Sequence, residues 1–137
     1  MEIELEKLKQ SAIAARLNAY VPYSQFKVGA ALLDAEGHIH HGCNVENAAY
    51  GPTNCAERTA LFRAIADGAK KGSFQALAVV GDTDRPISPC GVCRQVIVEL
   101  CAPDMPVWLG NLGGSWSRTT VAELLPGAFT SDDLGKQ

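Results

Sequence analysis

No stretch of this 137-residue chain is long and apolar enough to form a membrane-crossing helix, so a helical membrane protein is not expected. There is no internal repeat, no low-complexity tract and no linker, which leaves a single domain over residues 1–137. A basic excess is missing too. Twelve Lys and Arg stand against 15 Asp and Glu, for a formal charge of −3, and such a surface does not attract a nucleic-acid polymer. The start Met1-Glu2-Ile3-Glu4-Leu5-Glu6 is too acidic for a secretory signal. Five cysteines make an odd number for a disulfide framework, so reduced thiols or metal ligands in the cytoplasm are expected.

What the chain does have is a split cysteine cluster. Cys55-Ala56-Glu57 lies in one segment and Pro89-Cys90-Gly91-Val92-Cys93 in another, with Cys90 35 residues after Cys55. Structural zinc closes its tetrahedral shell with protein atoms, whereas catalytic zinc keeps one position for water. Three thiolates, with a carboxylate two residues after the first, point to the open kind. Cys43 or Cys101 would close the shell as a fourth ligand. Cys43 lies in a strand pattern and Cys101 at a helix end, where a small buried hydrophobe is the default role. A redox Cys-x-x-Cys leaves Cys55 and Glu57 unexplained.

Leu5, Leu8, Ala12, Ala15 and Ala19 recur at helical spacing and predict an amphipathic helix over 4–19, broken at Val21-Pro22. Residues 27–33 and 38–45 read as strands around the turn Asp34-Ala35-Glu36-Gly37. A second helix is predicted over 54–67, capped by Thr53 or Asn54, with apolar residues encircling its axis as in a buried helix. Residues 74–81 form a short apolar strand expected at the sheet centre. Ser88-Pro89 reads as the N-cap and first position of a third helix over 90–101. Strands at 105–109 and 115–119, joined at Gly113-Gly114, and helical turns near 120–125 and 131–135 complete a three-layer α/β domain with a mixed sheet.

Both cysteine segments thus open helices, and Cys90 and Cys93, three apart, share one face. Helix starts present unpaired amides and a positive dipole end, which favour thiolates. Three thiolates outweigh the ion's charge by one, so a cation is expected nearby. Arg58, three residues after Cys55, and Gln95, just past Cys93, are candidate donors to the sulfurs. Glu57 is free to face the open position and exchange protons with water there.

These residues resemble the small zinc-dependent cytidine deaminases of nucleoside salvage, whose ligand set and Pro-Cys-x-x-Cys signature they repeat. The similarity continues in order through Tyr23-Ser24-Gln25-Phe26-Lys27-Val28-Gly29-Ala30-Ala31-Leu32, Gly42-Cys43-Asn44-Val45-Glu46-Asn47-Ala48, Cys55-Ala56-Glu57-Arg58-Thr59-Ala60, Ser88-Pro89-Cys90-Gly91-Val92-Cys93-Arg94-Gln95 and Glu123-Leu124-Leu125-Pro126. The resemblance implies a three-layer α/β/α cytidine-deaminase-like fold with a five-stranded mixed sheet. It implies hydrolytic deamination of cytidine and 2′-deoxycytidine to uridine and 2′-deoxyuridine, with release of ammonia. One Zn²⁺ per subunit would be held by Cys55, Cys90 and Cys93, and Glu57 would shuttle protons. Phe26 would pack on the pyrimidine, the Ala56 amide would read its carbonyl, and Asn44 and Glu46, taken as one strand face, would bind the ribose. Tyr50 and Phe129 resemble residues that complete a neighbouring pocket in a homotetramer.

Without that company, Phe26 reads as core, and Asn44 and Glu46 as solvent-facing strand residues. His38, His40 and His41 follow a turn and read as plain surface. Trp108 and Trp116 are read as core or interface, and 110–115 as a turn rather than a phosphate loop. The rivals are a deaminase of modified nucleosides, a polynucleotide editor and a non-catalytic zinc module. Asn44 and Glu46 favour a free ribose, and the negative charge disfavours a polymer.

Overall fold

Alternation along one strand sets the layering. In β1 (Val28–Leu33), Ala30 and Leu32 join one core cluster while Ala31 and Leu33 join another, because successive side chains leave opposite faces of a sheet. The computed structural model describes residues 2–135. Around β1 stand α1 (Glu2–Arg16), β2 (Ile39–Cys43), α2 (Ala56–Ala66), β3 (Ala76–Gly81), α3 (Gly91–Leu100), β4 (Pro106–Asn111), β5 (Trp116–Thr120) and α4 (Val121–Leu124). A 3-10 turn, Ser131–Leu134, follows. The sheet order is β2-β1-β3-β4-β5, mixed, with β3 parallel to β4 and the other neighbours antiparallel. All six residues of β3 are buried, as its central place requires.

Helix α1 covers one face through Leu8 and Ala12, beside Ala78 and Val80, with Trp108 and Trp116 packed at the margin. Helices α2 and α3 cover the other through Ala60, Leu61 and Ile97, against Leu77, Val79 and Val107. Gly42 lets α2 lie directly on β2: a Cβ there would stand 2.3 Å from the Ala56 carbonyl oxygen and 2.6 Å from the Ala60 nitrogen.

Several boundaries differ from expectation, each for a tertiary reason. Helix α1 stops at Arg16 because Tyr20 pairs with the chain beyond β2, its amide donating to Asn44 O and its carbonyl accepting from Glu46 N. Neither Thr53 nor Asn54 caps α2. Asn54 is held in a bridge with Val45, and Cys55 becomes the N-cap. Cys90, not Ser88, caps α3, its sulfur accepting from the Cys93 amide at 3.4 Å. Helix α2 is not buried all round, since Phe62 and Ile65 on its outer side are exposed. His40 is no surface residue: its ring is largely enclosed and its Nε2 lies 2.9 Å from Asp34 Oδ2.

Candidate active site

Helices α2 and α3 pack together, and their N-terminal ends bring the two cysteine segments close. The sulfurs of Cys55, Cys90 and Cys93 all lie within 4.8 Å of one another, and neither Cys43 nor Cys101 joins them. Cys55 and Cys90 are 3.8 Å apart. Cys93 is buried and Cys90 exposed, so the cluster runs from the core to the surface. Arg58 reaches back one turn and donates from Nη2 to Cys55 Sγ at 3.2 Å, while its Nε is buried without a partner. Cys55 is pulled down to about 5, first by the hydrogen bond from Cys93 and then by Arg58, against the opposing effect of burial. The same hydrogen bond, with burial, pushes the Cys93 thiol up. Three soft sulfurs backed by a guanidinium fit zinc, with no protein group in the cluster to fill the fourth position.

Glu57 is only 4% exposed, and burial, reinforced by the nearby Cys55 charge, pushes its carboxyl up to about 7. A carboxyl so placed exchanges protons near neutral pH. Ala56 is fully buried in the first turn of α2, where helical amides lack intrahelical partners.

Phe26 is partly exposed and packs at Gly81, where an added Cβ would come within 3.3 Å of its Cζ and 2.7 Å of Ile87 Cδ1. The preceding Gln25 adopts φ +64, a left-handed conformation uncommon outside glycine. Asn44 and Glu46 depart from the strand-face reading. Strand β2 ends at Cys43, and both side chains turn onto the 23–28 segment. Asn44 accepts from Val28 N at 2.9 Å and donates to Phe26 O at 2.8 Å. Glu46 Oε1 accepts from the Tyr23 and Ser24 amides, and Oε2 from the Ser24 hydroxyl, which in turn accepts from Phe26 N. These bonds hold the Glu46 carboxyl below the usual carboxylate range, the Ser24 hydroxyl contributing most.

Glu46 and Ser24 also wall an open cleft of about 360 Å³ with Tyr23, Asn47, Tyr50 and Thr53. Tyr50, at φ +62, is 75% exposed. Gln95 does not reach the sulfurs. Its amide donates to the Phe129 carbonyl at 2.8 Å and pins the backbone there, while Phe129 stays 58% exposed. Tyr23 and Ser24, which bond Glu46, and Arg94, which bonds the approach to Cys90, were not singled out by sequence reasoning. Arg94 carried one signal, a helical charge with no acid three or four positions away.

The comparisons with known proteins agree with this arrangement. Residues 2–109 match the family model described as the cytidine and deoxycytidylate deaminase zinc-binding region. The chain is 61% identical over 132 residues to the cytidine deaminase of Sporosarcina psychrophila, covering 96% of each. It is 56% identical to that of Halalkalibacterium halodurans, over 96% of this chain and 98% of the relative. The 1.6 Å crystal structure of cytidine deaminase from Burkholderia pseudomallei superposes with a TM-score of 0.89 at 56% identity, covering 90% of this chain and 98% of that one. With its three-sulfur zinc site and its sheet-and-helix layers, the chain belongs to the cytidine and deoxycytidylate deaminase family.

Proposed function

We propose that the protein hydrolytically deaminates cytidine and 2′-deoxycytidine in pyrimidine salvage, through one catalytic domain over residues 1–137. The observation that carries this is the buried Glu57 carboxyl in the first turn of α2, close to a cluster of three sulfurs, one ligand short of a closed tetrahedral shell. Bound zinc supplies the Lewis acidity that makes a water nucleophilic near neutral pH. Glu57 would take a proton from the attacking water and deliver it to ring N3 as the water oxygen bonds to C4. It would then take the remaining hydroxyl proton and pass it to the exocyclic amine, so that the C4–N bond breaks, a C4 carbonyl forms and ammonia leaves. Phe26 holds the pyrimidine face, and the Ala56 amide donates to its carbonyl.

Asn44 and Glu46 serve the sugar while holding the Phe26 segment. An amide offers two N–H donors and a carboxylate about four acceptor sites. Asn44 uses one donor and Glu46 three acceptor sites, so one of each is left for ribose hydroxyls. Arg58 neutralises part of the thiolate charge.

The exposed Tyr50, Phe129, Phe62 and Ile65 support a homotetramer with pockets shared between subunits. Among the described residues no helix is long and apolar enough to cross a membrane. Thiolates that must stay reduced suit the cytoplasm.

The test is ultraviolet absorbance with cytidine, deoxycytidine, cytosine and CMP, on protein of known zinc content. Glu57→Gln is expected to keep zinc and fold and to lose at least about 100-fold in turnover, the usual worth of a positioned proton carrier. Undiminished turnover in that variant sinks the assignment.

A further inference from the structure

Arg94 directly follows the zinc ligand Cys93, and its guanidinium is given over to three neutral oxygens. Nε donates to the Pro89 carbonyl at 2.9 Å, Nη2 to the Ser88 hydroxyl at 2.5 Å and Nη1 to the Leu124 carbonyl at 2.5 Å. Ser88 and Pro89 lead into Cys90, and residues 82–90 belong to no helix or strand. Cys90 is also the most exposed of the three ligands, so packing secures it least. Leu124 closes α4, whose first turn is locked by a capping box between Thr120 and Glu123. The fork therefore spans from an irregular ligand-bearing loop to a braced element.

We infer that Arg94 is a positioning residue for the zinc site, fixing the approach to Cys90 against α4 so that its sulfur stays within reach of Cys55 and Cys93. A lysine keeps the charge but cannot direct donors at three divergent acceptors. The next residue, Gln95, grips the Phe129 carbonyl, so adjacent residues of α3 hold the chain beyond β5 at two points. The inference rests on the three-thiolate zinc site and is independent of which nucleoside binds.

The experiment follows release of zinc from holoenzyme to a chromogenic chelator at neutral pH. Arg94→Ala is expected to retain zinc about 10- to 100-fold less well, the range seen when partners of metal ligands are removed. Arg94→Lys should behave like Arg94→Ala. Ser88→Ala alone should weaken retention less, and added to Arg94→Ala it should change nothing further. Asp34→Asn, at the opposite end of β1, controls for lost stability and should release zinc at the wild-type rate. Wild-type retention in Arg94→Ala and Arg94→Lys overturns the inference. So does full additivity of Ser88→Ala with Arg94→Ala, or equal zinc release from Asp34→Asn. Wild-type chain purified without zinc overturns the cofactor assignment as well.

Discussion

Asp34 closes the β1–β2 turn by itself. Its Oδ1 accepts from the Glu36 and His38 amides, its Oδ2 meets His40 Nε2, each at 2.9 Å, and its carbonyl accepts from Gln75 Nε2 at 2.7 Å. Burial alone raises its carboxyl, but the His40 bond and then the two amides outweigh that and leave it below the ordinary value of 3.8. A carboxyl depressed in the fold stabilises above its unfolded pKa and loses that contribution as pH falls through the folded one. Asp34→Asn should therefore cost about 1 to 3 kcal/mol at neutral pH, the scale of hydrogen bonds to a charged group. The gap to wild type should close below about pH 4. Thermal midpoints measured against pH check this, and a gap unchanged down to pH 3 refutes it. Single residues were also where reading the sequence alone fell short. The two-residue spacing of Asn44 and Glu46 shows a shared face, but their partners lie 16 to 23 residues away, and nothing local announces them.

At the scale of elements, periodicity, apolar runs and turn signals located the helices and strands of the described residues, and the boundary errors fell at their ends. Cap rules favour Ser, Thr and Asn, so Ser88 and Asn54 were natural choices. The helices instead begin at cysteines, because the hydroxyl of Ser88 is taken by Arg94 and Asn54 is committed to Val45. Those starts are what place the sulfurs. The seat of α2 on Gly42 should then matter for turnover, since the atoms a Cβ would strike are the Ala56 carbonyl oxygen and the Ala60 nitrogen and Cβ, none of which can swing aside. Gly42→Ala must lift the helix that carries Cys55, Glu57 and Arg58. Overpacking of this kind costs about 1 to 3 kcal/mol. Zinc retention and turnover should fall together with the thermal midpoint. A Gly42→Ala enzyme that melts early yet turns over normally shows that α2 need not sit where it does.

For the whole molecule, the departure that matters most is the apolar surface left uncovered. The encircling pattern of α2 implied burial on every side, and one chain leaves Phe62 and Ile65 out. A pattern along one chain cannot tell a core from an interface between copies, because both remove the same side chains from water. Phe129, held by its carbonyl yet exposed, has the same double reading. If it completes a neighbour's pocket, two crippled chains should repair each other. Phe129→Ala keeps its own Glu57 and lacks the aromatic it would give away, whereas Glu57→Gln keeps Phe129 and, on the proposed role of Glu57, cannot move the proton. Co-assembled, a pocket built from the Glu57 of one chain and the Phe129 of the other is whole. Mixed assemblies, separated by a tag on one chain and sized by sedimentation, should then exceed the summed activity of the two parents. Mixed assemblies that form and show no gain place Phe129 outside the pocket, and a fully active monomer removes the shared site altogether.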